Sequence, residues 1–139
     1  MITIVKDRSD VQRFLDNAGR SLETFRYFSR RSLDVLDNHV VTFLDMDNNE
    51  PIAYGHLDRD GKKVWLGICV SDKMCGRGLG KLMMKALIAA AIEHQIPSIW
   101  LAVDVDNTVA RQLYEKIGFV RTLIPSTMHA LYKYQIPGT

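Results

Sequence analysis

Between an apolar run ending at Val70 and an amphipathic run beginning near Leu79, the chain reads VSDKMCGRGLGK, with glycines at 76, 78 and 80. A residue without a Cβ lets the main chain curl tightly. Three of them in alternation ahead of a helix can aim several N–H groups at one anion, and the helix adds its unpaired donors and the positive end of its dipole. This stretch restricts the chain to folds in which a strand enters a helix through an anion-binding turn. Two nucleotide-binding versions fail on spacing. A Walker-type loop, counted back from Gly80 and Lys81, would begin on Cys75 and place Leu82 where a magnesium-binding hydroxyl is needed. The dinucleotide fingerprint wants a further glycine where Lys81 stands, and its first strand opens a parallel unit rather than closing a meander. A pyrophosphate remains the natural guest.

The segments around the loop predict the remaining layers. ITIV (2–5) reads as a short strand, followed by a helix that Ser9 or Asp10 caps, with Val11, Phe14, Leu15 and Ala18 on one face and Gly19 at its end. Residues 21–38 read as one broken helix or two short ones, with Ser21 and Ser32 as caps. VVTFLDM (40–46), PIAYGHLD (51–58) and KVWLGICV (63–70) follow as strands joined by short turns, which makes an antiparallel meander. After the glycines, Leu79, Leu82, Met83, Ala86, Leu87 and Ala90 recur at helical spacing as far as about His94. SIWLAV (98–103) reads as a buried strand, Asn107 as the cap of a helix ending at Gly118, and FVRTL (119–123) and MHALYKYQ (128–135) as the last two strands. The expected fold class is α+β: a mixed, mostly antiparallel sheet of about seven strands flanked by helices as a three-layer sandwich.

Composition narrows the partners. A chain of 139 residues with 47% apolar and 24% charged residues suits a single globular domain. A net charge of +2 gives no reason to expect nucleic acid, and no apolar run reaches the roughly 20 residues that span a bilayer. The opening MITIVKDRSD lacks the build of a secretion signal, and two cysteines, Cys69 and Cys75, read as a reduced pair in a cytosolic protein. Arg26, Arg30 and Arg31 among the aromatics of FRYFSRR offer either a surface for an anionic partner or a solvated face with Phe25 and Phe28 turned inward.

Two motifs together resemble the GCN5-related N-acetyltransferase (GNAT) family. VSDKMCGRGLG is similar to that family's Arg/Gln-x-x-Gly-x-Gly/Ala loop, with Gly78 and Gly80 on the glycine positions. NTVARQLYEKIGF (107–119) matches its Asn-x-x-Ala-x-x-Leu-Tyr-x-x-x-Gly-Phe at Asn107, Ala110, Leu113, Tyr114, Gly118 and Phe119. The loop departs from the pattern at its head, where Cys75 replaces the usual Arg or Gln and keeps only its backbone N–H; Arg77 is placed to take over the charge.

The resemblance implies one acyl-CoA N-acyltransferase domain over 1–139. Acetyl-CoA is its cosubstrate, and the acetyl group passes directly to the primary amine of a small molecule, an amino sugar or sugar nucleotide among the acceptors it allows. Its expected cofactor-binding residues are Ile68 and Val70 on a strand that parts from its neighbour, Cys75, Gly76, Arg77, Gly78, Leu79, Gly80 and Lys81 in the loop, and Asn107 and Ala110 at the later helix. Tyr114 matches the family's general acid. The glutamate that family members acting on ribosomal-protein N-termini carry falls on Ala102, so the base must lie elsewhere. His56 and Asp58 share a strand face and are candidates, His56 foremost, with Asp104 and His129 as others. No metal, nucleic-acid or membrane partner is expected, and the oligomer is a monomer or homodimer. A protein N-terminal or lysine acetyltransferase and a non-catalytic CoA sensor are the alternatives.

Overall fold

The computed structural model describes residues 1–123 and 129–138. In chain order the elements are β1 (Ile2–Ile4), α1 (Arg8–Asn17), β2 (His39–Asp47), β3 (Glu50–Asp60), β4 (Lys63–Val70), α2 (Leu79–Glu93), β5 (Ser98–Asp104), α3 (Thr108–Ile117), β6 (Val120–Arg121) and β7 (His129–Gln135). The strands form one seven-stranded sheet in the order β1-β2-β3-β4-β5-β7-β6. Every neighbouring pair is antiparallel except β4 and β5. The expected mixed sheet with flanking helices is therefore the fold.

Local chemistry sets the boundaries. Asp7, two residues before Ser9 and three before Asp10, is the cap of α1 and accepts the Ser9 N–H. The 21–38 region forms two short 3-10 segments, Gly19–Glu23 and Leu33–Asn38, the second capped by Ser32 as expected. Ser21 lies inside the first segment rather than capping it, and its hydroxyl donates to the Val70 carbonyl at 2.6 Å. Asn48 and Asn49 both adopt positive φ in the β2–β3 turn, where a two-residue hairpin needs left-handed residues. The strand expected over 119–123 is shorter, Val120–Arg121, and Met128 lies outside the described residues.

Two cores fill the sandwich. Alternation along β3 turns Ala53 and Leu57 toward α2, and Tyr54 toward α1. Val11 and Phe14 of α1 meet Tyr54, Leu44 and Cys69 on one face, with Phe25 and Phe28 packed beside them. On the other face Met83, Met84, Leu87, Ala90 and Ala91 of α2 cover the sheet, and side chains of α3 join the same cluster. Each large side chain buried there contributes about 1.5–3 kcal/mol. Close approach of α2 requires Gly55, where a Cβ would stand 2.6 Å from Met83 Cγ. Among the described residues, no helix is long and apolar enough to cross a membrane.

Candidate active site

The parallel strands β4 and β5 pair only at Trp65 and Trp100, although β4 runs on to Val70 and β5 to Asp104. Their C-terminal halves part, and a cleft of about 530 Å³ opens there. The register tells which backbone groups face it. Ser71 N–H donates to the Ile52 carbonyl, so the hydrogen-bonded pairs of the β3–β4 ladder are those in phase with that bond, Cys69 with Tyr54 and Gly67 with His56. Leu66, Ile68 and Val70 lie between them and direct their N–H and C=O groups away from β3, toward the parting. The Ser21 hydroxyl occupies the Val70 carbonyl. Ile68 and the Val70 N–H are left as a strand edge with nothing beside it on β5.

The glycine loop lies at the end of that edge. Gly76 and Gly78 take φ values of 82° and 78°, and a Cβ at either would meet nothing within 4 Å. They are open to solvent, and the conformation rather than crowding calls for glycine. Gly78 starts α2 with no side-chain cap, while Leu82 N–H reaches back to the Gly78 carbonyl. The N–H groups of Leu79, Gly80 and Lys81 therefore have no carbonyl a turn earlier. Gly80 lies against Val70 and Leu113, which joins the loop to β4 and α3. Cys75 is exposed, with its thiol 3.6 Å from the Ser71 carbonyl. Such a cradle suits a pyrophosphate.

Tyr114 lines the cleft from α3, its ring against Phe119 and Tyr132. Burial, helped by the Cys69 thiol, pushes its hydroxyl pKa up to about 12. Asn107 also lines the cleft, but its Oδ1 accepts the Ala110 N–H at 3.3 Å and so caps α3. Ala110 contributes that N–H and packs against the core.

His56 and Asp58 line the same cleft from β3. His56 is only 2% exposed, boxed by Tyr27, His39, Tyr54 and Phe25. Its Nδ1 is 2.6 Å from the Tyr54 hydroxyl, and its Nε2 lies against Gly67, where a Cβ would stand 2.5 Å away. Burial, then the neighbouring His39 and Arg31, holds its pKa well below the ordinary imidazole value. Asp58 accepts the Tyr27 hydroxyl at 2.8 Å.

Of the sequence-derived candidates, the cleft brings together His56, Asp58, Ile68, Ala102, Asp104, Asn107, Tyr114 and His129. The loop residues form the separate cradle. Ala102 presents a methyl group where the resemblance looked for a carboxylate. Arg26 does not wait for an anion: both its terminal nitrogens bind Asp104, at 2.8 and 3.1 Å. That ion pair lowers the Asp104 pKa. Arg31 lies over the Tyr27 ring at 4.4 Å. Sequence reasoning missed Tyr27, His39, Thr42, Asp60 and Trp65. Tyr27 sits in a segment that reads as a solvated helix face, and only the fold brings it to Asp58.

A family model described as Acetyltransferase (GNAT) family matches residues 7–119. Over 70 residues the chain is 38% identical to the spermine/spermidine N(1)-acetyltransferase of Bacillus subtilis, a match covering 48% of this chain and 46% of that one. It thus spans about half the length of the curated relatives it matches. The fold resembles yncA of Salmonella typhimurium, solved with its cofactor acetyl-CoA, at a TM-score of 0.78 and 16% identity over 100% of this chain and 95% of that one. It also resembles the ribosomal-protein-S18-alanine N-acetyltransferase of Escherichia coli, at a TM-score of 0.75 and 17% identity over 98% and 93%.

Proposed function

This chain belongs to the acetyltransferase (GNAT) family, and we propose that it transfers acetyl from acetyl-CoA directly to the primary amine of a small molecule. One observation carries the reading: the free edge of β4 runs from the glycine loop into a cleft that Tyr114, His56 and Asp58 line together. Acetyl-CoA supplies an activated thioester. The N–H groups of Gly76–Lys81 hold its pyrophosphate, with Arg77 and Lys81 adding charge, and the Ile68–Val70 edge holds its pantetheine arm as an added strand. The Tyr114 hydroxyl donates to the departing sulfur. With its pKa at about 12, full proton transfer to an ordinary thiolate is uphill by about 5 kcal/mol, so its first contribution is a hydrogen bond to the developing charge. The acceptor's proton is taken within the His56–Asp58 pair.

The acceptor we read from the cleft walls is a cationic amine. Asp58 and Asp60 line the cleft with Tyr27 and Trp65, carboxylates that attract ammonium and rings that lie against its methylenes. The polyamine substrates named for the Bacillus subtilis relative support this class. A sugar nucleotide would bring a diphosphate, and Arg26, one of the arginines lining the cleft, is already paired with Asp104, whereas an amino sugar is itself a cationic amine. The alanine at 102 argues against protein N-termini. A cytosolic setting belongs to the same reading, supported by two free cysteines.

The test is thiol release from acetyl-CoA against a panel of polyamines, amino sugars and peptides. Polyamines should give the highest kcat/KM, and Tyr114→Phe should lower kcat by about 100-fold with cofactor affinity retained. Cofactor binding without turnover on any amine would make the protein a CoA sensor instead.

A further inference from the structure

Four polar side chains on the α1 face of the sheet form a chain with one direction. The Tyr27 hydroxyl has a single proton and gives it to Asp58 Oδ2 at 2.8 Å. Its oxygen must then accept from His39 Nε2, also 2.8 Å away. The neutral His39 ring thus carries its proton on Nε2, and Nδ1 is left to accept the Thr42 hydroxyl at 2.8 Å. Thr42, His39 and Tyr27 are donors in series, and all of them point at one carboxylate.

Packing alone does not call for such a series. Thr42 is 8% exposed, and at such positions apolar groups of the same shape serve stability as well as a polar network does. The network's product is the orientation of Asp58. With Oδ2 held by Tyr27, Oδ1 accepts nothing from the described residues, and Asp58 lines the cleft. Asp104, by contrast, has both oxygens bound by Arg26. His56, beside Asp58, has Nδ1 committed to Tyr54.

We infer that Asp58 receives the acceptor's charged nitrogen and takes its proton, and that Tyr27, His39 and Thr42 are positioning residues that hold Asp58 Oδ1 toward the cleft. One ammonium proton moves to Oδ1 while the N–H electron pair stays on nitrogen, which becomes the neutral nucleophile. The carboxylic acid so formed returns its proton to solvent through the cleft mouth. His56 remains a neutral wall of the same pocket, kept so by burial. This inference rests on the proposed transfer to a cationic amine and assigns its proton step.

The experiment uses the full chain with acetyl-CoA and spermidine, adding calorimetry of spermidine binding in the presence of CoA. Asp58→Asn should reduce kcat/KM for spermidine by about 100-fold or more and weaken its binding about 10- to 100-fold. The KM for acetyl-CoA should stay put. Tyr27→Phe should lower kcat by about 10-fold. His39→Gln, which retains a donor near the Nε2 position, should remain within about threefold of wild type, whereas His39→Leu should fall to the Tyr27→Phe level. If Asp58→Asn does not fold, Tyr27→Phe and the two His39 variants carry the test. Wild-type turnover matched by Asp58→Asn would overturn the Asp58 assignment alone. Equal behaviour of the two His39 variants would reduce the donor series to packing. A wild type that neither binds nor acetylates spermidine would remove the cationic-acceptor reading, and this inference with it.

Discussion

Gly67 shows how closely single positions are constrained. It pairs with His56 across β3 and β4, and a Cβ there would stand 2.5 Å from His56 Nε2 and 2.6 Å from Cε1. The ring cannot swing aside, because the Tyr27 ring lies 4.3 Å away and the Tyr54 hydroxyl holds Nδ1. Gly67→Ala should therefore destabilise the protein by about 1–3 kcal/mol and reduce turnover by more than the lost folded fraction. Urea denaturation measured beside initial rates would check it. An unchanged midpoint with normal turnover would show that the cleft wall yields. Nothing in the sequence marks this glycine, since it lies inside an ordinary strand pattern and its reason is a neighbour 11 residues away.

At the level of elements, the sequence was most readable where local chemistry decides. Strand β4 falls at the expected residues 63–70 because its hairpin and its alternation agree, and Asn107 caps α3 as expected because its side chain reaches a backbone N–H three residues on. The glycine cradle was legible for the same reason: φ near +80° at Gly76 and Gly78 is a local demand that only the residue type satisfies at low cost. The 21–38 region was not legible. Its helical period is broken by residues whose partners are remote: Arg26 binds Asp104, 78 positions on, and Tyr27 binds Asp58, 31 positions on. Of the two readings of FRYFSRR, the one with Phe25 and Phe28 turned inward matches their packing against the core, but Arg26 is neither solvated nor free for an anion, because it pairs with Asp104. Half of the candidate site, the wall with His56 and Asp58, could be placed on one strand face by alternation, but the donors behind Asp58 could not.

Across the whole molecule, the same burial that shapes the cleft ties stability to pH. Burial holds His56 well below the ordinary imidazole pKa; it also lowers His39, against a smaller opposing pull from Asp58. The unfolded chain binds these protons near pH 6.5 and the folded protein only at lower pH. Stability is therefore fully present above about 6.5 and is lost as pH falls below it, by up to roughly 1.4 kcal/mol per pH unit for the buried His56 and by less for the partly exposed His39. Urea midpoints at pH 7.5 and 5.5 should differ accordingly, and a flat profile would mean the rings are solvated. The proposed cofactor binding, and with it the proposed chemistry, depends on the parting of β4 from β5, which turns a continuous sheet into a slot with the glycine loop at its head. The direct measurement is a crystal structure with coenzyme A bound. The diphosphate should lie within hydrogen-bonding distance of the N–H groups of Gly76–Lys81, with the pantetheine arm along Ile68 and Val70 and the sulfur near Tyr114. A diphosphate bound elsewhere, or an arm that does not enter between the two strands, would contradict it.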